Sequence, residues 1–473
     1  MDSSAPLGLQ PLWPDMTYYD HQLAGIAWML DREVNGTECA TPFGESTVFG
    51  GLQCDDMGLG KTIQTAATML NNPVEKTLLL APLAMLDTWI GVFERAGFAV
   101  YEARSGKWTV KATAAEGTAA VYVCGYERAV INPSLTAGGF DRIVLDEAHK
   151  IRNPDGETAR SLRRIKAPIR WALTGTPIVN KRKDIVSLLA FVGVKCGALY
   201  KWQDEYEEIL GELMIHRELD EVRDVVDTAP PEPTVREVLL DFETKAEQDF
   251  YRGIQGALGE KIAAFKRDLL TPQQKFLLLL RLRQISVHPQ VYINAKRRED
   301  SGYDRDDWEG TPTKVNALKG LVEAGVLAGH RYLVFCQFMD EMTYIAEALE
   351  EEGVRVEKYH GGLNQMERAE ALKAGADVLL VQIQAGGVGL NLQEYDRCVF
   401  MSPWWTAALM DQAVARTVRM GQKKKVEVIH LRLAEEETLN IDALMGQKAE
   451  EKRAILEDVL KMKCCVELEA DAK

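Results

Sequence analysis

The 473 residues predict an α/β chain of two tandem lobes, each built on a parallel sheet, with a helical insertion between them. Three observations lead there. Short apolar runs at 77–81, 120–124, 142–146 and 170–174 alternate with helix-like stretches, the rhythm that strand–helix–strand units leave in a sequence. That rhythm stops at a long, charged amphipathic helical region, 200–226, and at the stiff break Pro230-Pro231-Glu232-Pro233, which cannot continue any helix. After a second helical stretch, 245–285, it resumes at 331–337, 354–359, 377–382, 397–401 and 425–433.

These changes of pattern set the expected boundaries. The first lobe covers 15–240, with a helical protrusion at about 184–230; the insertion covers 241–300; the second lobe covers 301–445; a charged helical tail covers 446–473. The acidic, polar stretch 301–310 has no apolar periodicity and reads as a linker.

Hydrophobic residues make up 46% and charged residues 27%, a composition that suits a globular enzyme and excludes a largely disordered chain. Residues 1–14 lack the basic start and apolar core of a signal peptide. The longest greasy run, 78–86, contains Pro82 and falls short of the roughly 20 apolar residues of a spanning helix, so no membrane partner is expected. Eight cysteines are scattered except for Cys464-Cys465, with no C-x-x-C pair, which points to neither disulfides nor zinc. The expected setting is intracellular: the nucleus in a eukaryote, otherwise cytoplasm or virion. With a net charge of −15, binding to nucleic acid would fall to local basic patches. Candidates are Arg160, Arg163, Arg164 and Lys166, the triplet Lys181-Arg182-Lys183, and residues 416–425. Each is as commonly a solvated helix face.

The chemistry begins at Asp55-Asp56-Met57-Gly58-Leu59-Gly60-Lys61-Thr62. A full phosphate-binding loop reads G-x-x-x-x-G-K-[ST], and Asp55 holds the place of its first glycine. Gly58 and Gly60 let backbone N–H groups turn toward an anion, and a helix starting near Lys61 adds its dipole. Lys61 is expected to reach the β/γ-phosphates of ATP and Thr62 to ligate Mg²⁺. The second element is an apolar strand ending in Asp146-Glu147-Ala148-His149. At the carboxyl end of such a strand one acid can hold Mg²⁺ while its neighbour polarises the attacking water. Asp146 is assigned to the metal and Glu147 to the water.

Carried on these motifs, the chain resembles the SWI/SNF-type ATPases of helicase superfamily two over residues 18–433. The family's D-x-G-x-G-K-T loop and D-E-A-H box match Asp56 to Thr62 and Asp146 to His149. His21-Gln22 with Trp28 resembles its adenine-sensing motif, Ala81-Pro82-Leu83 with Trp89 its DNA-contact motif, and Leu173-Thr174-Gly175-Thr176-Pro177 with Asn180 its coupling motif. In the second half, Val334-Phe335-Cys336-Gln337-Phe338, Tyr359-His360-Gly361-Gly362 and the segment from Gln384 to Leu392, with Gly386-Gly387, follow in family order. The spacing Gln412-Ala413-x-x-Arg416-x-x-Arg419-x-Gly421-Gln422 is the most diagnostic.

The resemblance implies two RecA-like lobes of the P-loop NTPase type that translocate on double-stranded DNA, with ATP and Mg²⁺ as cofactors and a DNA-bound protein as target. The ATP contacts would be Gln22 and residues 56–62; the catalytic residues Lys61, Glu147, Arg416 and Arg419. Three apart on a helix, the two arginines would share a face and point together at the γ-phosphate. Nucleic-acid contacts would fall to Trp89, Gly386, Gly387 and one of the pair Trp404-Trp405. The sequence departs from the family in lacking Leu-Arg before His21-Gln22 and in carrying Val381-Gln382-Ile383-Gln384 where a small hydroxyl residue is common. No cysteine lies between Cys196 and Cys336, so the zinc RING of some relatives is not expected. Strand separation, or action on RNA polymerase, are the alternatives to protein displacement.

Overall fold

The structure is a computed structural model describing residues 8–114, 119–223, 229–386, 392–419, 421–434 and 439–463. The chain divides into two units, 1–229 with 452–473, and 230–451.

The first unit is organised around a sheet of nine strands among the described residues. They are β1 (Thr37–Thr41), β2 (Gly44–Gln53), β3 (Lys76–Ala81), β4 (Ala99–Arg104), β5 (Lys107–Ala112), β6 (Ala120–Gly125), β7 (Arg142–Asp146), β8 (Ile169–Leu173) and β9 (Met214–Ile215). The order is β1-β2-β8-β7-β3-β6-β4-β5, with β9 also on β2. Pairing is parallel from β2 across to β4, and the outer strands β1 and β5 add antiparallel. Both faces of the sheet are covered, which is why its central strands read as continuous apolar runs rather than alternating ones. On β3, Leu78 and Leu80 enter one buried cluster while Leu79 and Ala81 enter the other. On β7, Ile143 and Leu145 face opposite to Val144 in the same way.

β8 lies between β2 and β7. The three segments that follow these strands, 54–60, 174–177 and 147–149, therefore leave the sheet side by side at its carboxyl edge, where parallel α/β sheets place ligands. Helix α1 (Asp20–Val34) packs against α2 (Lys61–Asn71), which starts directly after the Gly58-Leu59-Gly60 turn.

The long helical region expected at 200–226 is interrupted. A helix spans Glu205–Leu213, but Met214–Ile215 leaves it to pair with the end of β2, and a short helix, Leu219–Arg223, follows. Fully buried, Met214 and Ile215 are better placed in the sheet than on an amphipathic helix with one wet face.

The second unit holds, among the described residues, a six-stranded, all-parallel sheet: β10 (Thr234–Leu240), β11 (Tyr332–Cys336), β12 (Val356–Tyr359), β13 (Val378–Gln382), β14 (Arg397–Phe400) and β15 (Glu427–Leu433), in the order β10-β15-β14-β11-β13-β12. β10 pairs with β15 along all seven of its residues, so this unit begins ahead of 241. Helices Lys245–Ala257, Gly259–Lys266, Pro272–Val287 and Pro289–Glu299 follow β10 and pack into one apolar cluster with Leu433, Ile441 and Met445. The stretch 301–310 is irregular but docked: the Trp308 ring packs on Phe250, and the backbone N–H of Trp308 donates to Gln290 Oε1 at 2.6 Å. Helix Ile441–Leu460 carries the start of the tail; Cys464 and Cys465 lie outside the described residues.

Candidate functional site

The phosphate-loop candidate takes its shape from two left-handed glycines, Gly58 at φ 94° and Gly60 at φ 82°, conformations closed to most side chains. A Cβ on Gly60 would also lie 2.5 Å from Gln22 Nε2, so glycine lets the Gln22 amide rest against the start of α2. Gln22 Oε1 in turn accepts the N–H of Tyr19 at 3.2 Å. Lys61 Nζ donates to the carbonyls of Asp55 at 2.5 Å and Asp56 at 3.1 Å, folding its cation back over the loop. The structure thus brings Gln22 and residues 56–62 together.

Asp146 ends β7, almost fully buried, with burial and then the neighbouring Glu147 charge pushing its carboxyl up to about 6. Lys61 is close enough to offset part of that. A buried carboxylate beside a half-buried one, their charges disfavouring each other, is a donor set that suits a divalent cation. The Asp146 carboxylate is an oxygen donor of the kind such a cation takes. Glu147 takes a left-handed backbone, φ 54° and ψ 50°, unusual for a non-glycine residue. His149 Nδ1 lies 3.3 Å from Glu147 Oε2 and 3.3 Å from Thr174 Oγ1, so the ends of β7 and β8 are joined through one imidazole. From the β8 segment, a Cβ on Gly175 would sit 3.6 Å from Lys61 Nζ.

Two buried aromatic side chains hold Asp146 through contacts that the sequence does not signal. Trp89, expected at nucleic acid, is fully buried and donates its indole N–H to Asp146 Oδ2 at 2.7 Å. It lies on the face of helix Leu86–Arg95 that packs on the sheet, and a buried indole needs a polar partner. Tyr126 Oη donates to the carbonyl of Asp146 at 2.7 Å. Neither carries a spacing signal; only the sheet order brings them to β7.

In the second unit, helix Ala407–Val414 stops before the arginines. Arg416 and Arg419 lie in the turns that follow, so helical spacing does not align them. Arg416 is buried at 7% exposure, whereas Arg419 is half-buried. The tryptophan pair is also largely inside. Trp404 is buried and Trp405 half-buried, and the Arg283 guanidinium stacks 4.5 Å from the first ring and 5.5 Å from the second. The cation lies over one face of each ring. Gly386 ends a short helical turn, Ile383–Gly386, and Gly387 lies outside the described residues.

The family model for the SNF2-related domain matches residues 21–291, and that for the helicase conserved C-terminal domain matches 313–421. A "Probable global transactivator" of Orgyia pseudotsugata multicapsid polyhedrosis virus is 26% identical over 450 residues, 89% of this chain and 87% of that protein. "Chromodomain-helicase-DNA-binding protein 1-like" of Danio rerio is 26% identical over 87% of this chain, which spans only 41% of that relative. "SWI/SNF-related matrix-associated actin-dependent regulator of chromatin subfamily A member 1" of Mus musculus is likewise 26% identical over 87% of this chain and 41% of its own length. Among solved structures, the Sulfolobus solfataricus SWI2/SNF2 ATPase core in complex with dsDNA aligns with 96% of this chain and 98% of its own at 22% identity, with a TM-score of 0.40. With its SNF2-related match covering more than half of the 473 residues, the chain belongs to the SNF2-related domain family.

Proposed function

We propose that this chain is a DNA-stimulated ATPase that translocates on double-stranded DNA to displace or remodel bound protein. Its family makes it an ATP-using enzyme. The observation that carries the reading is the meeting, at one sheet edge, of the Lys61 loop, the Asp146-Glu147 pair and the Thr174-Gly175 segment.

Each group has a chemical task there. The N–H groups around Gly58 and Gly60 and the start of α2 would receive the phosphates, and Lys61 would leave the Asp55 and Asp56 carbonyls to neutralise them. Asp146 and Thr62 would hold Mg²⁺, which when bound screens the charge on the transferring phosphoryl group. Glu147 would orient the attacking water, its carboxylate steadied by His149. Because His149 also touches Thr174, movement of the β8 segment would reach the water-orienting acid.

Two measurements test the reading. Turnover of ATP should rise when duplex DNA is added, and the protein should strip a triplex-forming strand from duplex in an ATP-dependent way while leaving a forked duplex paired. Turnover indifferent to DNA would count against the motor. Opening of the fork would move the chain to the strand-separating helicases.

A further inference from the structure

The first arm of the phosphate loop is held by a residue far away in sequence. Asp55, which stands where a phosphate loop ordinarily begins with glycine, is fully buried, as is Gln64 on α2. Both meet Arg217, itself 5% exposed, just beyond β9. Arg217 Nε donates to Asp55 Oδ1 at 3.0 Å and Nη2 to Asp55 Oδ2, a two-pronged pair. Nη2 also reaches Gln64 Oε1 at 2.8 Å, and Nη1 donates to the carbonyl of His21 on α1. Gln64 Nε2 closes the circle, donating to Asp55 Oδ2 at 3.1 Å and to the Leu59 carbonyl at 3.1 Å. His21 Nε2 lies 3.2 Å from that same carbonyl.

The backbone reinforces the side chains. The N–H of Cys54 donates to the Ile215 carbonyl at 2.8 Å, that of Asp56 to the Arg217 carbonyl at 3.0 Å, and that of Leu219 to Asp56 Oδ2 at 2.9 Å. Residues 215–219 thus run beside 54–56 and fix both ends of the segment that Lys61 folds over. Gly25, in the middle of α1, records how close the packing is. A Cβ there would fall on Gln64 Oε1 and come within 2.6 Å of Arg217 Nη2. Burial alone would push the Asp55 carboxyl up, but the adjacent Arg217 guanidinium holds it below its ordinary range, so the pair is ionic.

We infer that Arg217 is a positioning residue of the nucleotide site: through Asp55 and Gln64 it holds the phosphate loop in its binding shape, and it ties that shape to the arm 205–223. This rests on the reading of residues 56–62 as the ATP loop. Arg217 touches no phosphate itself. Its planar fork satisfies two carboxylate oxygens, an amide and a carbonyl at once, which a lysine ammonium cannot reproduce.

The test is binding of a fluorescent ATP analogue to the full chain, alongside the melting temperature. Arg217→Lys keeps the charge and loses the fork; nucleotide affinity should fall by about tenfold or more, the worth of a charge-assisted hydrogen bond. The double variant Asp55→Asn with Arg217→Met removes both buried charges. Losing one partner strands a charge, whereas losing both is often tolerated, so its melting temperature should return toward that of the parent while its nucleotide affinity stays low. A double variant that recovers affinity together with stability would reduce Arg217 to a structural role. So would wild-type affinity in Arg217→Lys. Amide exchange on the unmodified protein needs no variant: ATP should slow exchange at 54–60 and at 214–219 together, and protection of the first segment alone would overturn the inference. Lys61→Ala separates the two claims. If it too binds the analogue like the parent, the ATP-loop reading itself fails.

Discussion

Trp89 and Asp146, 57 positions apart, share a 2.7 Å hydrogen bond in which the buried indole N–H donates to the carboxylate at the end of β7. The bond leaves Asp146 Oδ2 oriented, and Oδ1 accepts the N–H of Glu147 at 3.0 Å. With Asp146 as the metal ligand, Trp89→Phe should keep the ring packing and lose the orientation. The Mg²⁺ concentration for half-maximal turnover should rise by about tenfold, in line with the loss of an outer-shell partner. Affinity for the nucleotide without metal should stay unchanged. A magnesium titration of both quantities decides it, and a parallel loss of the two would point to general damage.

Lys61→Ala and Glu147→Gln should fail in different ways. The first removes the cation that meets the phosphates and should weaken nucleotide binding. The second keeps the loop and removes only the carboxylate charge, so it should bind ATP while turnover drops by about 10² to 10⁴. Equilibrium binding and steady-state hydrolysis of the two proteins, with and without duplex DNA, make the comparison.

Arg416→Ala and Arg419→Ala test the sequence-based assignment of these residues to the transferring phosphoryl group. An arginine in that role is worth about 10³ to 10⁵ in rate. Nucleotide affinity should hold while DNA-stimulated turnover collapses. Since Arg416 is buried and Arg419 half-buried, Arg416→Ala should also lower the melting temperature more. Turnover above about a tenth of the parent in both variants would remove the arginines from the reaction.

The second unit should carry a pH-dependent weakness at His288. Burial holds this imidazole at about 4, and its Nδ1 accepts the N–H of Gln290 at 3.0 Å to cap the helix Pro289–Glu299. The folded value lies below the unfolded one, so the stability it contributes is present above about 6.5 and is lost as pH falls toward 4. The ceiling on that loss is about 3 kcal/mol. His288→Asn keeps a capping oxygen and removes the titration. Its urea midpoint should fall less than the parent's between pH 7 and pH 4; equal slopes would assign the acid sensitivity elsewhere.

How much of this was legible depended on whether the cause is local. The strands at 142–146 and 120–124 were readable because parallel strands covered on both faces are apolar at every position, and β7 has the bounds the pattern gives. The 56–62 loop and the Asp146-Glu147 pair were readable because phosphate and metal chemistry demand fixed residue types at fixed spacing. β9 was hidden. Met214 and Ile215 fit an amphipathic helix locally and leave it only because β2, some 160 residues earlier, offers an edge. Arg217 was hidden with them, inside what read as a charged helix face. Trp89 and one of the pair Trp404-Trp405 are assigned to nucleic acid by resemblance, yet burial is decided by what packs over a side chain. The arginine pair follows from the resemblance, and only its shared face from helical periodicity; the helix ends two residues short of Arg416.

Gly25 closes one route to engineering this protein. Alanine in the middle of a helix is usually better than glycine by about 1 kcal/mol, so any stabilisation scheme based on helix propensity would choose Gly25→Ala first. Here the added methyl group competes with Gln64 and Arg217 for one space. The small gain in helix propensity would be outweighed by displacing the buried Gln64 and Arg217 side chains, so the substitution would lower the melting temperature and loosen the phosphate loop's hold on nucleotide together.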